Sequence, residues 1–125
     1  MIKVKAIYTR HFIALLTALA FLSPVALAAG ALARNPRNND GTVVVNKKTR
    51  DDAVHDAILA CGTDCEIVTT FQGSCVAYAA DHRANSTVYG YGQASDKDAA
   101  GERALDQCQS RGGSCTVMDS GCDGK

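Results

Sequence analysis

Asp81-His82-Arg83, followed at a short distance by Ser86, is the one cluster that puts an acid, an imidazole and a hydroxyl together. Correctly oriented, such a set could move a proton and activate a nucleophile, the chemistry of a small hydrolase using Asp81 and His82. No G-x-S-x-G turn accompanies it, and the same residues read as a solvated loop between strands. The second group is the six cysteines, Cys61, Cys65, Cys75, Cys108, Cys115 and Cys122. Cys61 and Cys65 with His55 or His82 would supply ligand types for zinc, but Cys108 and Cys115 do not repeat that spacing. Thiol redox chemistry favours C-x-x-C at a helix N-terminus, where the dipole lowers the thiol pKa, whereas these cysteines close helices. No metal and no cofactor is therefore expected. The acidic pairs Asp51-Asp52 and Asp96/Asp98 suit helix N-termini and need no glycosidase role. Tyr89 and Tyr91 share one strand face and are the candidate binding residues, as a platform for a sugar ring or a partner's side chain; packing is the simpler role. Asn85-Ser86-Thr87 matches the glycosylation acceptor pattern. His55, off the small-residue face of its helix, reads as a surface residue.

The elements that position these residues come as two copies. Ala53, Ala57, Ile58 and Cys61 fall opposite Ala100, Ala104, Leu105 and Cys108. The offset is 47 residues from 61 to 108 and again from 75 to 122, and 50 from 65 to 115, the extra residues lying in a loop. The first copy reads as a β-branched strand over 42–46, an N-cap at Thr49, a helix ended by Gly62, and a strand over 65–71 with Ile67, Thr69 and Phe71 on one face. Gln72-Gly73-Ser74 then turns the chain into a return strand over 75–80, so that 65–80 reads as a β-hairpin. The second copy has a strand over 87–92, whose Gly90 and Gly92 mark a close backbone approach. A helix capped by Ser95 and a last strand over 116–118 follow. The expected fold is α+β: two β-α-β(-β) repeats with pseudo-two-fold symmetry, a mostly antiparallel sheet, both helices on one face, stapled by disulfides.

In each copy a cysteine ends the helix and the next begins the strand, which makes Cys61–Cys65 and Cys108–Cys115 natural local bridges. Cys75–Cys122 would then join the two halves; bridges crossing within a half, such as Cys61–Cys75, are the rival.

An export signal accounts for the oxidising environment that disulfides need. Lys3, Lys5 and Arg10 precede an apolar run over 12–22, Pro24 breaks it, and Ala26-Leu27-Ala28 is an A-x-A cleavage site. Cleavage is expected after Ala28, alternatively after Ala33, leaving no membrane anchor. The division is 1–28 signal peptide, 29–41 flexible linker, rich in Asn and turn residues, and 42–125 the duplicated domain. The chain has 13 basic and 13 acidic residues; losing three basic ones with the leader leaves a net charge of −3. A mildly acidic surface argues against nucleic acid as a partner. The product is expected to be secreted or periplasmic.

Helix-borne Ala57 and Cys61, then Cys65, Phe71, Cys75-Val76-Ala77, Tyr89-Gly90-Tyr91-Gly92, Ala104, Leu105, Cys108, Cys115 and Cys122 together resemble the bacterial family called domain of unknown function 4189. The resemblance spans about residues 42–122, departing where Thr42-Val43-Val44-Val45 replaces the first copy's Gly-rich strand. It implies a small exported protein and supplies no catalytic residues. The function expected is binding of another protein, in the manner of an inhibitor, immunity or effector-like module. A small secreted hydrolase built on Asp81/His82 and a structural envelope protein are the alternatives.

Overall fold

A computed structural model describes residues 28–124. The leader expected over 1–28 lies almost entirely outside them. The order of elements is β1 (Ala29–Arg34), β2 (Gly41–Lys47), α1 (Arg50–Cys61), β3 (Glu66–Phe71), β4 (Cys75–Asp81), β5 (Tyr89–Ala94), α2 (Lys97–Ser110) and β6 (Cys115–Cys122). The class is α+β, in two halves of identical plan. Each half runs strand, strand, helix, strand, and in each the first strand is the middle of an antiparallel three-stranded sheet: β2-β1-β3 in one, β5-β4-β6 in the other.

Alternation along the two central strands explains the layering. Ala29, Ala31 and Ala33 of β1 pack on Ala53 and Ala57 of α1. Cys75, Ala77 and Ala79 of β4 pack on Ala100, Ala104 and Cys108 of α2. The residues between them face the other way, so that Leu32, Phe71, Val76, Tyr78 and Ala80 fill the space between the sheets. A strand with period two thus carries small residues toward its helix and larger ones toward the opposing sheet. Small residues on both sides of a helix–strand contact let the backbones approach closely. The second half exploits this furthest: a Cβ on Gly92 would lie 2.3 Å from Ala100 O, and one on Gly90 would lie 2.5 Å from Ala104 O.

Three expectations are corrected. Residues 29–34 are no linker; they form the fully buried central strand β1, with Ala29, Ala31 and Ala33 on the face toward α1 and Leu32 on the face toward the other sheet. The polar stretch after it supplies the β1–β2 connection, with Asn39 at φ 64°. Residues 65–80 form no hairpin: β3 pairs with β1, and β4 pairs with β5 and β6, so Gln72-Gly73-Ser74 passes between sheets. There are accordingly two sheets, each with its helix on its own outer face, in place of one sheet with both helices on one side. Two details also shift. A register shift between Leu32 and Ala33 in the β1–β3 pairing breaks the alternation expected for β3, so Ile67 packs toward α1 while Val68 and Phe71 face the opposing sheet. Helix α2 is capped by Asp96, whose side chain accepts from Ala99 N at 2.8 Å, one residue beyond the Ser95 expected. Thr49 caps α1, accepting from Asp52 N, and Gly62 ends it at φ 106°.

Candidate functional site

The Asp81 cluster is assembled by the end of β4. Asp81 is the last residue of that strand and its carboxylate points into the fold, so His82, next along the chain, is turned out to solvent. Arg83 grips the carboxylate with Nε at 3.0 Å from each oxygen and Nη2 at 2.6 Å from Oδ2. The Arg83 amide donates to Oδ1 at 3.1 Å and the Ser86 hydroxyl to Oδ2 at 2.8 Å. Arg83 Nη2 also reaches Gly112 O at 2.8 Å, which ties the β4–β5 loop to the end of α2. The Arg83 guanidinium holds the carboxyl of Asp81 far below the usual carboxylate range, with the backbone amide and the Ser86 hydroxyl adding to it. Among the described residues no hydrogen bond joins His82 to Asp81 or to Ser86. The arrangement is a closed loop staple: its acid is saturated, its hydroxyl is donated, and its imidazole stands apart. The sequence brings the three together; the alternation of a strand separates them.

Tyr89 and Tyr91 sit on the inter-sheet side of β5, half-buried against Val76, Tyr78 and Leu32. The Tyr89 ring lies 5.9 Å from that of Tyr78, and the Arg34 guanidinium is stacked over it at 4.0 Å. Arg34 is 5 % exposed and is held by Asn39 Oδ1 and by Thr87 O at 3.0 Å. Asn39 Nδ2 donates to Val88 O at 2.8 Å, and the Tyr78 hydroxyl donates to Asn39 O at 2.8 Å. Burial pushes the Tyr78 phenol up to about 12. This polar knot joins the β1–β2 loop to the β4–β5 end of the other half. Sequence reasoning missed Arg34 and Asn39 because their stretch reads as linker; the signal available was an Arg directly after an apolar alternating run.

All six cysteines are bonded, as Cys61–Cys65, Cys75–Cys122 and Cys108–Cys115. Cys75 and Cys122 are opposed residues of β4 and β6, with Cα atoms 3.9 Å apart. That bridge lies inside the second half and does not link the two, because Cys75 opens the second copy; Ala29 holds its place in the first. Among the described residues no three His, Cys, Asp or Glu side chains are grouped to hold a metal. His55 is exposed on α1, and Asp51, Asp52 and Asp98 occupy first turns of helices. Asn85 is exposed at φ 61°, while the Ser86 hydroxyl of its sequon is committed to Asp81.

The family model described as Domain of unknown function (DUF4189) matches residues 29–122. The chain belongs to this family. The match begins at the first residue of β1 and ends at the last cysteine, so the family's unit is the whole pair of three-stranded sheets. No curated protein and no solved structure matches the chain.

Proposed function

We propose that this member of the domain of unknown function 4189 family is an exported binding module whose ligand is another protein. The observation that carries the reading is the state of Asp81. The Asp81 cluster, which has the residue types of a hydrolase, spends its carboxylate on Arg83 and its hydroxyl on that carboxylate, and leaves His82 exposed to solvent. Large apolar side chains meanwhile stand exposed at Leu59, Val117 and Met118. Of these, Val117 lines a groove together with Leu105 of α2, and an apolar groove open to solvent supports a docking face. Three disulfides support export, and cleavage after Ala28 would release a chain starting at Ala29, the first residue of β1.

The test is affinity capture from the secreted or periplasmic fraction with the oxidised protein and its His82→Ala variant. Both should retain one saturable protein partner equally. Loss of effect on replacing His82, with the fold unchanged, would instead establish chemistry at that residue. Intact mass of the exported protein should give an N-terminus at Ala29 and three disulfides.

A further inference from the structure

The four strand edges of the two sheets are treated differently. Along β5, side chains of α2 cover the outward backbone: Arg111 Nη1 donates to Tyr89 O at 2.9 Å, Gln107 Oε1 accepts from Tyr91 N at 2.8 Å, and Arg103 donates to Gln93 O. These three residues are one helical turn apart, so a single helix face seals the edge. Along β2, Asp119 Oδ2 accepts from Val43 N and Asp123 Oδ1 from Asn46 N, each at 2.8 Å. Native edges are commonly blunted in such ways, because an open one pairs with other chains. On β3 the Thr69 hydroxyl donates to the adjacent Thr70 O at 3.3 Å, and among the described residues no side chain bonds the backbone of Glu66–Val68. Over Cys115–Met118 of β6, among the described residues, no side chain bonds the backbone. This open piece carries Val117 and Met118, 40 % and 48 % exposed; Val117 lies beside α2, and Met118 is the extra residue where the β4–β6 register shifts between Ala79↔Val117 and Tyr78↔Asp119.

A groove of ≈ 450 Å³ runs beside it on the α2 side, lined by Gly101, Leu105, Val117 and Ser120, with Asp98 and Glu102 on the helix rim and Lys97 at its end. Gly101 is part of its wall. At this position the fold does not need a glycine: a Cβ there would find only Val117 Cγ2, at an ordinary 3.7 Å. A glycine inside a helix costs about 1 kcal/mol relative to Ala. The helix offset of 47 residues puts Val54 at the same place in the first half, and Ile67, the counterpart of Val117, is half-buried there. The second half therefore gives up helix stability and leaves apolar surface bare where the first half covers it. Asp98, Glu102 and Asp106 follow at four-residue spacing, exposed, and none is in an ion pair among the described residues.

We propose that the β6 edge at Cys115–Met118 takes an extended segment of another protein whose side chains run basic, apolar, basic at alternate positions. This names the partner's chemistry and rests on the protein-binding reading above. Backbone pairing at an open edge requires an extended segment, and pockets for alternate side chains select its sequence. The side chain facing Gly101 enters the apolar groove between Leu105 and Val117. Its neighbours two residues away lie toward the acidic row, which selects lysine or arginine. The intervening side chains turn to the other face, that of Thr116.

The experiment is an amide NMR titration of the oxidised protein with the blocked heptapeptide Thr-Lys-Thr-Val-Thr-Lys-Thr, and with its counterpart carrying Glu in place of Lys. Expected are saturable shifts at Gly101 and at residues 115–118 with the lysine peptide. Binding should weaken about fivefold or more in the Glu102→Lys/Asp106→Lys variant and for the glutamate peptide. Gly101→Leu, which fills the groove, should abolish it. Should Gly101→Leu fail to fold, the charge variant decides, since both its side chains are exposed. Shifts located elsewhere, no shifts, or equal affinity in wild type and variants overturn the proposal. A natural partner that binds wild type and both variants alike overturns this surface while the binding-module reading stands. Failure to find any saturable protein partner sinks that broader reading.

Discussion

The carboxylate of Asp81 accepts from Arg83 through two guanidinium nitrogens and an amide and from Ser86 through its hydroxyl, and these bonds hold its pKa far below the ordinary 3.8. An acid depressed in the fold stabilises the fold where it is ionised. The contribution of Asp81 is complete at neutral pH and is lost as pH falls from about 4 through the folded value. Urea unfolding of wild type and Asp81→Asn should therefore differ most at neutral pH, wild type being the more stable, and converge toward about pH 2. A gap that persists or widens on acidification would contradict the assignment. His82→Ala, by contrast, changes an exposed side chain and should leave stability within about 0.5 kcal/mol. The sequence displayed both residues and their adjacency. It did not display that one points inward and its neighbour outward, because that depends on where β4 ends.

Among the elements, the glycines of the second half divide by what lies above them. Gly92 sits beneath α2, where an added methyl would meet Ala100 O and Ala104 N at 2.3 Å and 2.7 Å. Gly92→Ala should therefore lower stability by about 1–3 kcal/mol, the usual cost of overpacking a close contact. Gly101→Ala should be neutral or raise it by up to about 1 kcal/mol. Denaturant midpoints of the two variants, measured side by side, check both signs. In the first half Thr42 and Val44 pair with Ala33 and Ala31, as Gly90 and Gly92 pair with Ala79 and Ala77. The side chains of Thr42 and Val44 keep α1 from resting on its strand as α2 does. The helices, the Thr49 cap of α1 and the meaning of Gly90 and Gly92 were legible, since apolar spacing and capping chemistry are local; for α2 they pointed to Ser95, one residue before the cap Asp96. The identity of β1 was not. Ala-Gly-Ala-Leu-Ala lacks the β-branched residues that mark strands, and it becomes a strand because two other strands pair with it.

At the scale of the molecule, the disulfides divide by the loop they close. Cys75–Cys122 spans 47 residues and Cys61–Cys65 only 4. The chain-entropy argument makes the first worth about 4 kcal/mol and the second about 2 kcal/mol. Replacing Cys75 and Cys122 by Ala should lower the unfolding free energy roughly twice as much as replacing Cys61 and Cys65, as read by urea titration. Start position gives a sharper test. A chain beginning at Ala29 should unfold cooperatively. One beginning at Arg34, as cleavage after Ala33 would leave it, loses all but one residue of the central strand β1 and should not fold. Cooperative unfolding of that shorter chain would show that β1 is dispensable.

By itself the sequence determined what is local or periodic: two helices, two similar halves and an α+β class. It also narrowed the cysteine pairing, since helix-end cysteines a few residues from the next strand have little else within reach. Tertiary structure alone decided which strands pair. Pairing decided that Cys75 and Cys122 staple one sheet and leave the two halves without a covalent bridge, and that Ala29–Arg34 is core and not linker. It also decided that Tyr89 lies under Arg34 and that α2 seals β5 while Asp119 of β6 bonds the backbone of β2. Hydrogen bonding between strands distant in sequence follows from the sum of packing on both faces, and no single stretch of chain carries that information.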